Sequence, residues 1–175
     1  CLDVPDQAAA PEIAGIARQL VPRLAGAGIV LTHALEGGHP DHDAVAVAVR
    51  AACRLAGPNA PTVVEMPFYR AGQAGEGWIR QSFSDAAGVA VLRLTPDERR
   101  RKQLMLDAHA SQADTLRSFG AADEPFRPAA PAERARLLGG TVALYDSQPW
   151  GVTSAAFQAA AEAALRALGL PDPWL

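Results

Sequence analysis

An α/β domain with a mostly parallel sheet is what this sequence predicts, from the order in which its periodicities change. Between Pro11 and Phe68, helical spacing gives way to a short apolar strand, a glycine-bearing turn, a second helical stretch and a valine-rich strand. A length of 175 residues fits one domain, spanning 1–175, with a core of its own. A hydrophobic fraction of 49% against 20% charged residues is ordinary globular usage, which excludes wholesale disorder and a collagen-like chain.

Ile13, Ile16, Leu20 and Leu24 recur at helical spacing and predict a first helix over 11–24, bent by Pro22 and ended by Gly26 and Gly28. Ile29-Val30-Leu31-Thr32 follows as a strand. After the polar turn of residues 36–42, a second helix is expected over 41–56, with Val45, Val49, Ala52 and Cys53 on one stripe. Residues 62–68 read as the next strand. The stretch 69–88 carries glycines and Trp78 without periodicity, so it reads as a long loop or lid. A third strand is expected over 89–94. Thr95-Pro96-Asp97-Glu98 is a capping box with proline at the first helical position, opening a helix expected to reach about Phe119. Pro125, Pro128 and Pro131 punctuate an extended stretch before a brief Leu137-Leu138 segment, and 142–145 reads as an edge strand. Thr153 caps a last helix with Phe157, Ala161, Ala164, Leu165 and Leu168 facing inward.

Charge and composition narrow the function classes. A net charge of −3 with a pI near 5.8 is no footprint for nucleic acid, and the run Arg99-Arg100-Arg101 reads as a solvated helix face. The longest apolar run, Ala44 to Val49, stops at Arg50, so no membrane span is expected. Two cysteines are too few for a disulfide framework and fit a reducing, cytoplasmic compartment.

Chemistry concentrates in His39-Pro40-Asp41-His42. A strand, a glycine turn and a helix N-terminus is where open α/β sheets place ligands. Two imidazoles three residues apart with a carboxylate between them can supply a metal ligand, a proton donor or oxyanion partner, and an orienting group. The same residues also suit a solvated loop with Asp41 as a helix cap. A catalytic zinc usually takes three protein ligands and a water, and this turn offers one or two. A nucleotide-binding role fits poorly, because the turn lacks the G-x-G-x-x-G spacing.

Glu36-Gly37-Gly38-His39-Pro40-Asp41-His42 resembles the second signature motif of the zinc-dependent LmbE-like de-N-acetylases, the PIG-L family. The likeness extends to Leu2-Asp3-Val4-Pro5-Asp6-Gln7, to Lys102 with His109, Ser111 and Gln112, and to Pro149-Trp150-Gly151-Val152-Thr153, in the family's order. The resemblance implies a Rossmann-like three-layer sandwich and a hydrolase that removes an N-acetyl group from an amino sugar or related conjugate. It makes His42 a ligand of zinc or another divalent transition metal. His39 becomes the group beside the scissile carbonyl, and Asp41 a residue orienting the imidazoles. Zinc-activated water is the nucleophile in such chemistry.

The family's first motif, His-Pro-Asp-Asp, carries the remaining ligands and the general base, and these 175 residues do not contain it. With Cys1 as the first residue, the expectation is a C-terminal portion of a longer domain, lacking the first strand–helix units. A non-catalytic α/β binding module of the same fold is the competing expectation. Some branches of the family carry tyrosine where this chain has Gly37, which removes that phenol from any mechanism here.

Other candidates each have two readings. His33 either lines the pocket or is hydrogen-bonded at a strand end. Glu36 contacts substrate or ties down the turn. Lys102, His109 and Gln112 share a helix face with Met105, Leu116 and Phe119, forming either a site wall or a structural network above an apolar core. Trp78 stacks on a sugar or anchors its loop. Tyr145 and Asp146 lie near enough in sequence to the final turn to reach the pocket.

Overall fold

The computed structural model describes residues 2–72, 77–129 and 143–170. The chain is a mixed α/β fold. Helix α1 (Ile13–Leu24) leads into strand β1 (Ile29–His33), helix α2 (Pro40–Ala56) and strand β2 (Thr62–Met66). A hairpin of β3 (Tyr69–Ala71) and β4 (Trp78–Arg80) comes next, then β5 (Ala90–Leu92) and α3 (Pro96–Asp107). The short α4 (Ala113–Leu116), β6 (Glu124–Pro128) and α5 (Ser154–Ala167) complete the order.

The main sheet runs β1-β2-β6-β5, and only its first pair is parallel, with Ile29 opposite Thr62 and His33 opposite Met66. Both β2–β6 and β5–β6 are antiparallel. The mostly parallel sheet expected is therefore not what the described strands form. The reason is β6, which the prolines disguised as plain extended chain. Its first half pairs with β5 (Glu124 opposite Leu92, Phe126 opposite Ala90), and its second half pairs with β2 (Arg127 opposite Glu65, Pro128 opposite Val64). Because the strand is shared in two staggered halves, Pro125 and Pro128 each answer to one neighbour, which relieves the usual objection to proline between two strands.

The core lies under one face of β1 and β2. Ile13, Ile16 and Ala17 of α1 meet Ala44, Val47, Ala48, Ala51 and Ala52 of α2, with Phe157, Ala161 and Leu165 of α5 closing the cluster. Alanine on α2 lets neighbouring helices approach closely, so burial extends well beyond the stripe that periodicity marks. Glu65 on β2 is wholly buried, and its carboxylate is shared by Arg50 of α2 and Arg127 of β6, tying helix and strands to one register.

Three expected elements differ from the structure. The helix opened by Thr95 forms with its full capping box but ends at Asp107 rather than near Phe119. Helix α3 buries none of its residues, and Met105, expected in the core, is 63% exposed, so no packing carries the helix through Ala108 and His109. The loop expected over 69–88 contains the β3–β4 hairpin. Leu144–Ser147 is a 3-10 turn rather than an edge strand; Val142 and the Leu137-Leu138 segment lie outside the described residues.

Candidate functional site

The turn between β1 and α2 is held from three sides. Asp43, fully buried on the first turn of α2, accepts the backbone N–H groups of Glu36 (3.1 Å) and Gly37 (3.2 Å) on Oδ1 and the Tyr145 hydroxyl (3.3 Å) on Oδ2. Glu36 Oε1 accepts the Phe68 N–H at 2.7 Å, strapping the turn to the chain beyond β2. The Leu144 N–H donates to Gly37 O at 2.7 Å. Gly38 packs so closely that a Cβ there would lie 1.8 Å from the Tyr69 carbonyl oxygen.

This clamp presents the imidazoles. His39 is the N-cap of α2, its Nδ1 accepting the Asp41 N–H at 3.2 Å. With Nδ1 serving as acceptor, the neutral ring carries its proton on Nε2. The His42 ring lies 5.1 Å from that of His39 and stacks on His33 at 4.2 Å with 11° between planes. Phe68, Tyr69 and Trp150 surround the group, Trp150 lying 4.8 Å from the His39 ring.

Burial dominates the electrostatics. It lowers His42 to about 3, with His33 and His39 adding smaller effects of the same sign, so the ring is neutral with a lone pair available. His33 is lowered by burial and then by His39. Among the carboxyls, burial pushes Glu36 up to about 8 against the pull of its Phe68 hydrogen bond. Asp43 rises to about 7, burial outweighing the two backbone N–H donors.

Two cavities adjoin here. One of about 540 Å³ is lined by His39, His42, Tyr69, His109, Gln112 and Trp150, with Asp6 and Gln7 at its edge. A second of about 220 Å³ is lined by His33, Met66, Lys102 and Phe119. Phe68, Leu106 and Leu116 border both.

The structure thus brings His39, His42 and His109 to one cavity. Asp41 faces elsewhere: its carboxylate accepts the N–H groups of Gln7 (2.7 Å) and Ala9 (3.0 Å), pinning the N-terminal segment rather than an imidazole. Glu36 ties down the turn. Lys102 lines the smaller cavity, paired with Glu124 at 2.8 Å and donating to Ala122 O at 3.2 Å. Trp78 stacks on Tyr69 (5.3 Å, 17°) and lies under the Arg80 guanidinium, anchoring its hairpin. Tyr145 reaches Asp43 beneath the turn, while Asp146 caps the Ser154 N–H at 2.7 Å. Sequence reasoning missed Asp43 altogether. An acidic residue in the first helical turn reads as ordinary dipole compensation, and nothing local reveals its partners.

Among the described residues, no group of three His, Cys, Asp or Glu side chains is arranged to hold a metal ion. The stacked His33 and His42 rings do not aim their lone pairs at a common point, and His39 spends Nδ1 on the helix cap. These residues do not make a complete catalytic zinc site, which takes three protein ligands. Compared with known proteins, the chain matches no family model, no curated protein and no solved structure.

Proposed function

We propose that the His39/His42 cavity is one wall of an amide-hydrolase site of the LmbE-like de-N-acetylase kind, acting on an N-acetylated amino sugar or related conjugate. The observation that carries this reading is the His39 cap: with Nδ1 occupied by the Asp41 N–H, the ring's one donor is Nε2–H, beside the neutral imidazole of His42. A fixed donor next to a carbonyl stabilises the alkoxide that develops when the amide is attacked. His42, neutral and lining the same cavity, is the residue suited to ligate zinc or another divalent transition metal. Tyr69, His109, Gln112 and Trp150 offer a polar and aromatic surface for the amine-bearing half of the substrate.

The Rossmann-like three-layer sandwich belongs to the same proposal. Ile29 (63% exposed) and Leu31 (56%) project together from the face of β1 opposite core-facing Val30, which suits a third layer packed on that face. A cytoplasmic location is part of the reading as well; no helix among the described residues is long and apolar enough to cross a membrane.

The incomplete ligand set favours a second reading, a binding module of the same fold without catalysis. The two are separated by incubating the protein with zinc and N-acetylglucosamine conjugates and measuring free acetate. The hydrolase reading expects acetate release that His39→Asp, which caps the helix but has no donor when ionised, lowers by about 100-fold or more. It also expects His42→Ala to cost zinc affinity well beyond the ~10-fold of an outer-sphere change. Conjugate binding without acetate release, with zinc affinity indifferent to His42→Ala, establishes the binding module instead.

A further inference from the structure

The smaller cavity is chemically unlike its neighbour. It opens beside the His33–His42 stack and continues between the ends of β1 and β2, α3, α4 and β6. Its interior is built from Met66, Phe68, Leu106, Leu116, Phe119 and Pro125, with the Phe68 and Phe119 rings stacked at 4.7 Å. The charges at its margin are answered locally: Lys102 by Glu124, and Asp123 by Arg93 and Arg99. Nothing there asks for an ionic ligand. His33, which lines the cavity, leaves its Nδ1 buried without a hydrogen-bond partner among the described residues, a place for one polar atom at the head of an apolar group. A volume of about 220 Å³ is roomy for such a group, since an engineered apolar cavity of about 150 Å³ binds benzene.

We infer that this cavity receives the acyl group of the substrate, and that the site takes apolar acyl chains of about four to eight carbons in preference to acetyl. The inference rests on the hydrolase reading for its chemistry and divides the substrate between the two spaces. The amine-bearing part lies against His109, Gln112 and Trp150 in the larger cavity, and the acyl chain runs past Phe68 into the smaller one. The reaction is hydrolysis: water gives its hydroxyl to the acyl carbon and a proton to the leaving nitrogen, the C–N bond breaks, and a carboxylic acid and an amine leave. A chain that fills the cavity gains about fourfold in binding for each methylene buried.

The two methionines of the sequence supply the test, because Met66 lines the cavity and Met105 is 63% exposed on α3. With ¹³C-methyl methionine label, hexanamide is expected to shift the Met66 methyl at a concentration at least tenfold below that of acetamide and to leave Met105 unmoved. Leu106→Trp, at a half-exposed position on the cavity border, is expected to abolish the Met66 response while the rest of the spectrum persists. Equal potency of the two amides, or a Met66 methyl that does not respond, overturns the inference. Turnover separates it from the reading beneath it. Faster hydrolysis of N-acetyl- than N-hexanoylglucosamine keeps the hydrolase and removes the long acyl group. Hydrolysis of neither, with Met66 still responding to hexanamide, removes the hydrolase and leaves an apolar-amide site.

Discussion

Tyr145 and Asp43, 102 positions apart in the chain, meet beneath the imidazole turn, where the Tyr145 hydroxyl donates to Asp43 Oδ2 at 3.3 Å. The other oxygen of Asp43 holds two backbone N–H groups of the turn. One buried carboxylate thereby links the C-terminal part of the chain to the turn that carries His39. Asp43→Ala strands three donors in the interior and is expected to cost about 3 kcal/mol or more, whereas Tyr145→Phe costs about 1 kcal/mol. Urea unfolding of the two variants checks both values, and equal losses would refute the central place given to Asp43.

Gly38 is a packing requirement rather than a flexible joint. A methyl group there meets the Tyr69 carbonyl oxygen at 1.8 Å, and backbone cannot swing aside as a side chain would. Gly38→Ala is expected to destabilise by about 3 kcal/mol, lowering Tm by about 10 °C in a chain of this size. A thermal scan showing a change of only one or two degrees rules out this close approach.

Glu36 gives the protein a pH signature. Burial holds its carboxyl at about 8 against an ordinary 4.5, so the folded state keeps a proton that the unfolded chain sheds. Its contribution to stability is complete below pH 4.5 and is lost as the pH climbs through about 8. Asp43, raised to about 7, acts in the same direction. Glu36→Gln keeps an acceptor for the Phe68 N–H and cannot ionise, so its stability should gain on the parent as pH rises over this window. Parallel pH profiles for parent and variant would sink the assignment.

Glu65 offers the severest test of the sheet. Its carboxylate lies between the Arg50 and Arg127 guanidiniums, and Glu65→Leu removes the shared anion from a closed interior. A loss of about 3–5 kcal/mol is expected in guanidinium unfolding. A neutral outcome means the arginines find solvent, and with it that β6 is not seated on β2 as described.

What the sequence made legible was whatever it signals within a few residues. The capping box at Thr95 and the Thr153 cap are local devices, and each forms where the letters place it, whereas α2 starts at Pro40 with His39 rather than Asp41 as its cap. His39 and His42 were readable as a pair because one turn carries both. Relationships spanning the chain left no such trace. The prolines of β6 argued against a strand that in fact changes partners midway. The end of α3 depended on packing that never arrives. Of Asp41 and Asp43, two residues apart, only Asp41 stood out in the sequence; it pins residues 7 and 9, and Asp43 carries the turn.

Under the proposed hydrolase reading, fold and chemistry draw on opposite edges of a single ring in His39. The edge bearing Nδ1 belongs to the helix, and a half-turn of the imidazole would forfeit the cap, so the donor on the far edge is oriented before any substrate arrives. Aspartate is also a good helix cap and, as a carboxylate, accepts without donating, so at this position it can serve the first duty without the second. The architecture therefore permits a protein that folds as this one does and has lost its donor, which makes an intact fold a poor witness to activity at this site.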